Sequence, residues 1–186
     1  MSRNAAVGLS AVALTVAIAG CTAQDTQDAT PPPLISSATG PPAPIPSPSG
    51  KAVLTITGAV NNHNEGSAVA FDQSVLDVMA TVTANIYEPF IKKDMKFTGV
   101  PVVNVLARAG ISPTATSIEL HALDDFTIEL KVSDLADPGI LLATKADDAR
   151  IPVDSGGPIR LVFPADSAVG KNRDIWIWSI DSIVVA

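Results

Sequence analysis

The side chains able to do chemistry in this chain form a short set. Two tryptophans, Trp176 and Trp178, stand two residues apart in a chain that is only 4% aromatic. On a strand that spacing puts both on one face, fit for core packing or for lining a pocket. Asp124 and Asp125 precede Phe126; paired aspartates accept N–H donors and also favour turns by bonding their own backbone. Phe126 is in phase with Ile128 and Leu130, which predicts core packing. Arg173 is free to reach a polar ligand edge or to sit in solvent. The two histidines, His63 and His121, are far apart and have no metal-ligand spacing. Asp147-Asp148 reads as a turn, and Ser155-Gly156-Gly157 lacks the length and the lysine of a phosphate loop. One cysteine excludes an internal disulfide, a cysteine-rich zinc site and an iron–sulfur cluster. With 19 acidic against 12 basic residues and a net charge of −7, nucleic acid is not an expected partner.

The elements that position these groups are short. Ala52–Gly58 alternates and predicts a strand, and Asn61–Gly66 a loop. Phe71–Ala80 reads as a helix with Asp72 at its N-cap or first turn. Thr81–Ile86 is expected to be extended. Pro101–Ala109 predicts a helix with proline at its first position and Gly110 as its stop. Ser117–Ala122 and Phe126–Val132 alternate around Leu123-Asp124-Asp125, a hairpin pattern. Ser133–Ala136 predicts one helical turn. Ile140–Lys145, Ile159–Phe163 and Ile175–Val185 complete the strands. The fold class is α+β: a mainly antiparallel sheet or barrel-like core with two or three short helices.

The N-terminal fifty residues differ in kind. Arg3 is followed by an apolar run, Ala5–Ala19, short of the ~20 residues needed to span a bilayer. Ile18-Ala19-Gly20-Cys21 then resembles the lipobox of a bacterial lipoprotein signal, in which the cysteine thiol takes a diacylglycerol and the chain is cut before it. The resemblance implies a signal peptide over 1–20, lipid on Cys21, and a cell-membrane protein anchored on the extracytoplasmic face by two or three acyl chains. Residues 21–50 hold eight of the 15 prolines between Pro31 and Pro48 and predict an extended, disordered tether. The folded domain is expected over 51–186.

Lys96–Gly110 (KFTGVPVVNVLARAG), Ile118–Leu135, Ile140–Pro164 and Arg173–Val185 occur in an order that resembles the oxidoreductase molybdopterin-binding domain, the sulfite-oxidase fold. Catalytic members ligate molybdenum through a cysteine thiolate, a soft ligand suited to the metal. The region where that cysteine is expected, near Thr81–Phe90, reads TVTANIYEPF, and Cys21 is the only cysteine. The molybdenum cofactor is therefore not expected. The segments LDDFTIELKVSDL, GGPIRLVFP and RDIWIW look most similar to small exported pterin-binding members that lack the cysteine.

That resemblance implies a non-catalytic protein binding a free pterin or a similar flat heterocycle, with an envelope protein as a further partner. Asp124 or Asp125 would accept the ring N–H donors, with Asp125 favoured by its place before the aromatic. Phe126, Trp176 and Trp178 would stack, Arg173 would meet a polar edge, and Tyr87 would line the pocket vacated by the cysteine. Two alternatives are an oxidoreductase with unusual metal ligation and an interaction module that has lost its pocket.

Overall fold

In the computed structural model, residues 44–186 are described. The expected signal peptide, Cys21 and residues 22–43 of the expected tether lie outside the described residues. Among the described residues, ten strands form two sheets. β1 (Ala52–Gly58), β2 (Val69–Asp72), β5 (Ser117–Ala122), β6 (Thr127–Lys131) and β10 (Ile180–Val185) make the first, in the order β2-β1-β10-β5-β6. Only the β1–β10 pair in it is parallel. β3 (Val82–Glu88), β4 (Lys93–Pro101), β7 (Leu141–Ala146) and β8 (Ala149–Arg150) make the second, and β9 (Arg160–Val162) also pairs with β7, all antiparallel. Two α-helices stand among the described residues, α1 (Gln73–Val78) and α2 (Val102–Ala109). This is the α+β, mainly antiparallel class.

Alternation explains the first sheet. In β1, Leu54 and Ile56 are fully buried, and in the β5–β6 hairpin Ile118 faces Leu130 and Leu120 faces Ile128. Glu119, Glu129 and Lys131 take the opposite phase. The second sheet is buried on both sides along β7 and β9, where Leu141, Leu142, Ala143, Leu161 and Val162 are all buried. One apolar cluster joins the sheets with Val102, Val105, Leu106 and Ala109 of α2. Gly110 caps α2 at φ +66, donating its N–H to Ala107, and Ile111 donates to Leu106.

Several expectations are corrected. Phe71 belongs to β2, not to α1, and is fully buried. Four consecutive buried residues leave β2 without the alternation that marks a strand. Pro101 is the cap before α2, whose first residue, Val102, donates its N–H to Ile140. Phe126 is 48% exposed, because β6 begins only at Thr127 and Phe126 sits past the end of the sheet. Trp176 and Trp178 precede β10. The side chain of Asn172 caps a 3-10 turn, Arg173–Ile175, and Ser179 takes φ +52, so the segment between is not a strand. The one-face argument for the two indoles therefore fails.

Residues 44–50, read from sequence as the end of the tether, pack on the domain. Ile45 is buried, and Arg108 Nη2 donates to the Pro44 carbonyl at 2.8 Å. The carboxylate of Asp72 gathers this entry segment and α1 together. Its Oδ2 accepts the N–H groups of Ser49 (2.7 Å) and Gly50 (2.9 Å), and its Oδ1 accepts from Ser74 Oγ (2.6 Å) and the Val75 N–H (2.8 Å).

The Ser74 hydroxyl first, then the Val75 amide, holds the Asp72 carboxyl below its ordinary value of 3.8. A carboxyl depressed on folding contributes stability that is complete above its unfolded value and fades as pH falls toward the folded one. Asp72→Asn is expected to lower Tm at pH 7. The gap to the parent chain should narrow below pH 3.8, as followed by circular dichroism melts across pH.

Candidate binding cleft

β3 ends on a buried acid. Period two sends Ile86 and Glu88 inward and Tyr87, 48% exposed, to the opposite face. Glu88 is 0% exposed, and its Oε2 accepts the N–H groups of Phe90 (2.9 Å) and Ile91, fixing the β3–β4 turn. Its Oε1 accepts from Arg160 Nη2 at 2.9 Å. Arg160 is only 2% exposed although it is charged. Burial pushes its guanidinium below the usual arginine range, and the Glu88 carboxylate opposes that shift.

The guanidinium is also the floor of an aromatic stack. Its carbon lies 3.9 Å from the Trp178 ring centroid and 5.7 Å from that of Phe97. Phe90, from the turn that Glu88 fixes, meets the Trp178 ring edge-on at 5.7 Å. Arg160 Nε and Trp178 Nε1 are buried donors with no partner among the described residues. Trp176 is held differently. Its Nε1 donates to the Gly170 carbonyl at 2.9 Å and its ring lies on Phe163 at 5.3 Å.

Gly156-Gly157 allows the backbone to come close to this stack. A Cβ on Gly156, which has φ +83, would lie 2.9 Å from the Trp178 ring, and one on Gly157 would lie 1.9 Å from the Ile151 carbonyl oxygen. The glycines serve packing rather than phosphate binding. The Gly157–Pro158 peptide is cis.

Above the stack opens a cleft of about 350 Å³. Its walls are Asp124 and Phe126 from the β5–β6 turn, Val153, Asp154 and Gly156 from the segment before β9, and Trp176, Trp178 and Ser179 before β10. Four predicted site residues thus come together: Asp124, Phe126, Trp176 and Trp178. Asp125 does not line the cleft. Its φ of +65 and its N–H to the Ala122 carbonyl (3.1 Å) place it in the turn itself. Arg173 and Tyr87 do not line it either. His121 Nε2 lies 2.6 Å from Glu119 Oε1 on the same strand, remote in sequence from His63.

Sequence reasoning missed Glu88, Arg160, Phe90 and Asp154. Arg160 did carry a signal: a lone charge inside the apolar run Ile159–Phe163 demands a buried partner. A wider hollow of about 520 Å³ lies elsewhere, between Ser133, Asp134, Asp137, Asp166 and Ser167, and holds none of the predicted residues.

Removing one partner of a buried pair leaves an uncompensated charge, which costs about 3–5 kcal/mol. Arg160→Met and Glu88→Leu are each expected to fall in that range in urea unfolding. The double variant should lose much less than the sum of the two. Gly156→Ala, strained at φ +83 and pressed on the indole, should change the near-UV circular dichroism of the tryptophans while leaving the sheet signal intact.

Comparison with known proteins places this geometry in a family. The oxidoreductase molybdopterin binding domain matches residues 53–181, more than half of the chain. Among solved structures, the sulfane dehydrogenase SoxCD from Paracoccus pantotrophus superposes with a TM-score of 0.56 at 17% sequence identity, over 71% of this chain. The chain spans only 37% of that SoxCD chain, so the likeness is one of fold. No curated protein sequence matches. The match over residues 53–181, with the shared fold, makes the chain a member of the oxidoreductase molybdopterin-binding domain family, of sulfite-oxidase fold.

Proposed function

We propose that the chain is a non-catalytic binding protein, held by lipid on Cys21 at the extracytoplasmic face of the cell membrane, that takes a free pterin or similar flat heterocycle in this cleft. An envelope protein would receive the signal of binding. The observation that carries the reading is the meeting of the Asp124 carboxylate with the Phe126 and Trp178 rings around one cleft. A pterin offers adjacent N–H donors that a carboxylate accepts in pairs, and a flat face that stacks on indole or phenyl. Asp124 Oδ1 accepts the Phe126 N–H at 3.3 Å, and its second oxygen has no partner among the described residues.

The residues present do not fit the metal-bearing form of the family's cofactor. The chain's one cysteine, Cys21, stands outside the matched residues 53–181, so this domain has no thiolate to offer. Where the thiolate is expected, β3 closes with Glu88 turned inward onto Arg160. No redox step is assigned to the chain on this reading.

Isothermal calorimetry of the full lipoprotein in detergent with tetrahydropterin tests the reading. One-site binding is expected, and Asp124→Asn and Phe126→Ala should each weaken it about tenfold, or about 1.4 kcal/mol. Both side chains stand at the cleft rim, and neither carries the core. Absence of heat across oxidised and reduced pterins would remove the ligand claim.

A further inference from the structure

We infer that the cleft accepts the heterocycle only without phosphate, and that Asp124 and Asp154 impose this choice. The inference rests on the pterin reading above and narrows its ligand class. Two carboxylates, and no lysine or arginine, stand among the cleft residues. Each has one oxygen engaged locally: Asp124 Oδ1 with the Phe126 N–H, and Asp154 Oδ1 with Ser155 Oγ at 3.2 Å. The other oxygen of each has no partner among the described residues, and neither carboxylate is paired with a cation there.

A phosphate needs cations or a nest of free amide N–H groups. The Arg160 guanidinium lies against the Trp178 ring and is paired with Glu88 at 2.9 Å. Four backbone donors at or beside the walls are already used. Gly156 N–H goes to Val153, Gly157 N–H to Pro152, Trp176 N–H to Arg173 and Ser179 N–H to Gly156. The net charge of −7 adds a long-range repulsion of anions. What remains favourable is a neutral or cationic ring that brings N–H donors.

The test compares dihydroneopterin with dihydroneopterin triphosphate on the full lipoprotein in detergent, by calorimetry. The free form should bind at least about tenfold more tightly at low salt. That gap should shrink in Asp124→Asn/Asp154→Asn and, in the unaltered chain, on raising salt to about 0.5 M. Equal or tighter binding of the triphosphate overturns the inference and leaves the pterin reading standing. A gap unmoved by both salt and the double variant also overturns it, since size rather than charge would then set the choice. If neither compound binds, the pterin reading itself fails, and this inference falls with it.

Discussion

The ion pair between Glu88 and Arg160 is the constraint on which the rest of the site depends. Two charges removed from water cost several kcal/mol each, and only good geometry and full hydrogen bonding offset that. Here the carboxylate takes the guanidinium on one oxygen and two turn amides on the other, while the Trp178 ring covers the guanidinium, whose Nε has no partner among the described residues. One buried acid therefore holds the end of β3, the β3–β4 turn and β9 in fixed relation. Trp178 lies on the guanidinium and Phe90 against the indole edge, so the cleft wall inherits its position from the pair. Before β10, Leu161 N–H to Ile177 and Ser179 N–H to Gly156 hold the backbone on either side of Trp178, and this stack holds the indole between them.

Local signals were legible in the sequence, and distant ones were not. The β5–β6 hairpin, the Gly110 stop and the Asp72 cap each depend on residues within a few positions, and each stands as expected. The fold class followed from the same short alternating runs. β2 was hidden because all four of its residues are buried. The two tryptophans misled, because spacing implies a shared face only if the backbone is extended, and Asn172 and Ser179 prevent that. Arg160 announced an unmet charge, but its partner lies 72 residues earlier, a separation that no local pattern bridges. For the same reason the sequence favoured Asp125, by its place before the aromatic, although Asp124 lines the cleft: which one does so depends on the turn's left-handed residue and on chain segments far away in sequence.

The fold of the family and the chemistry of the site are separate questions in this chain. Residues 53–181 match a domain whose name implies a molybdenum cofactor, and SoxCD shares the architecture. Fold alone does not carry function; the site does. This site presents carboxylates and aromatic faces to a cleft, with its one deep cation already neutralised. On the proposed reading such an arrangement suits a flat, donor-rich ring, and an internal ion pair supports its wall.

The chain's two tryptophans allow a direct measurement of the central claim. Each contributes one indole N–H signal to a nitrogen–proton correlation spectrum, and single substitutions assign them. Titration with tetrahydropterin is predicted to shift the Trp178 signal saturably, with a smaller change at Trp176, whose indole N–H is bound to Gly170. A Trp178 signal unmoved at saturating ligand would contradict the placement of the binding site on the Arg160–Trp178 stack.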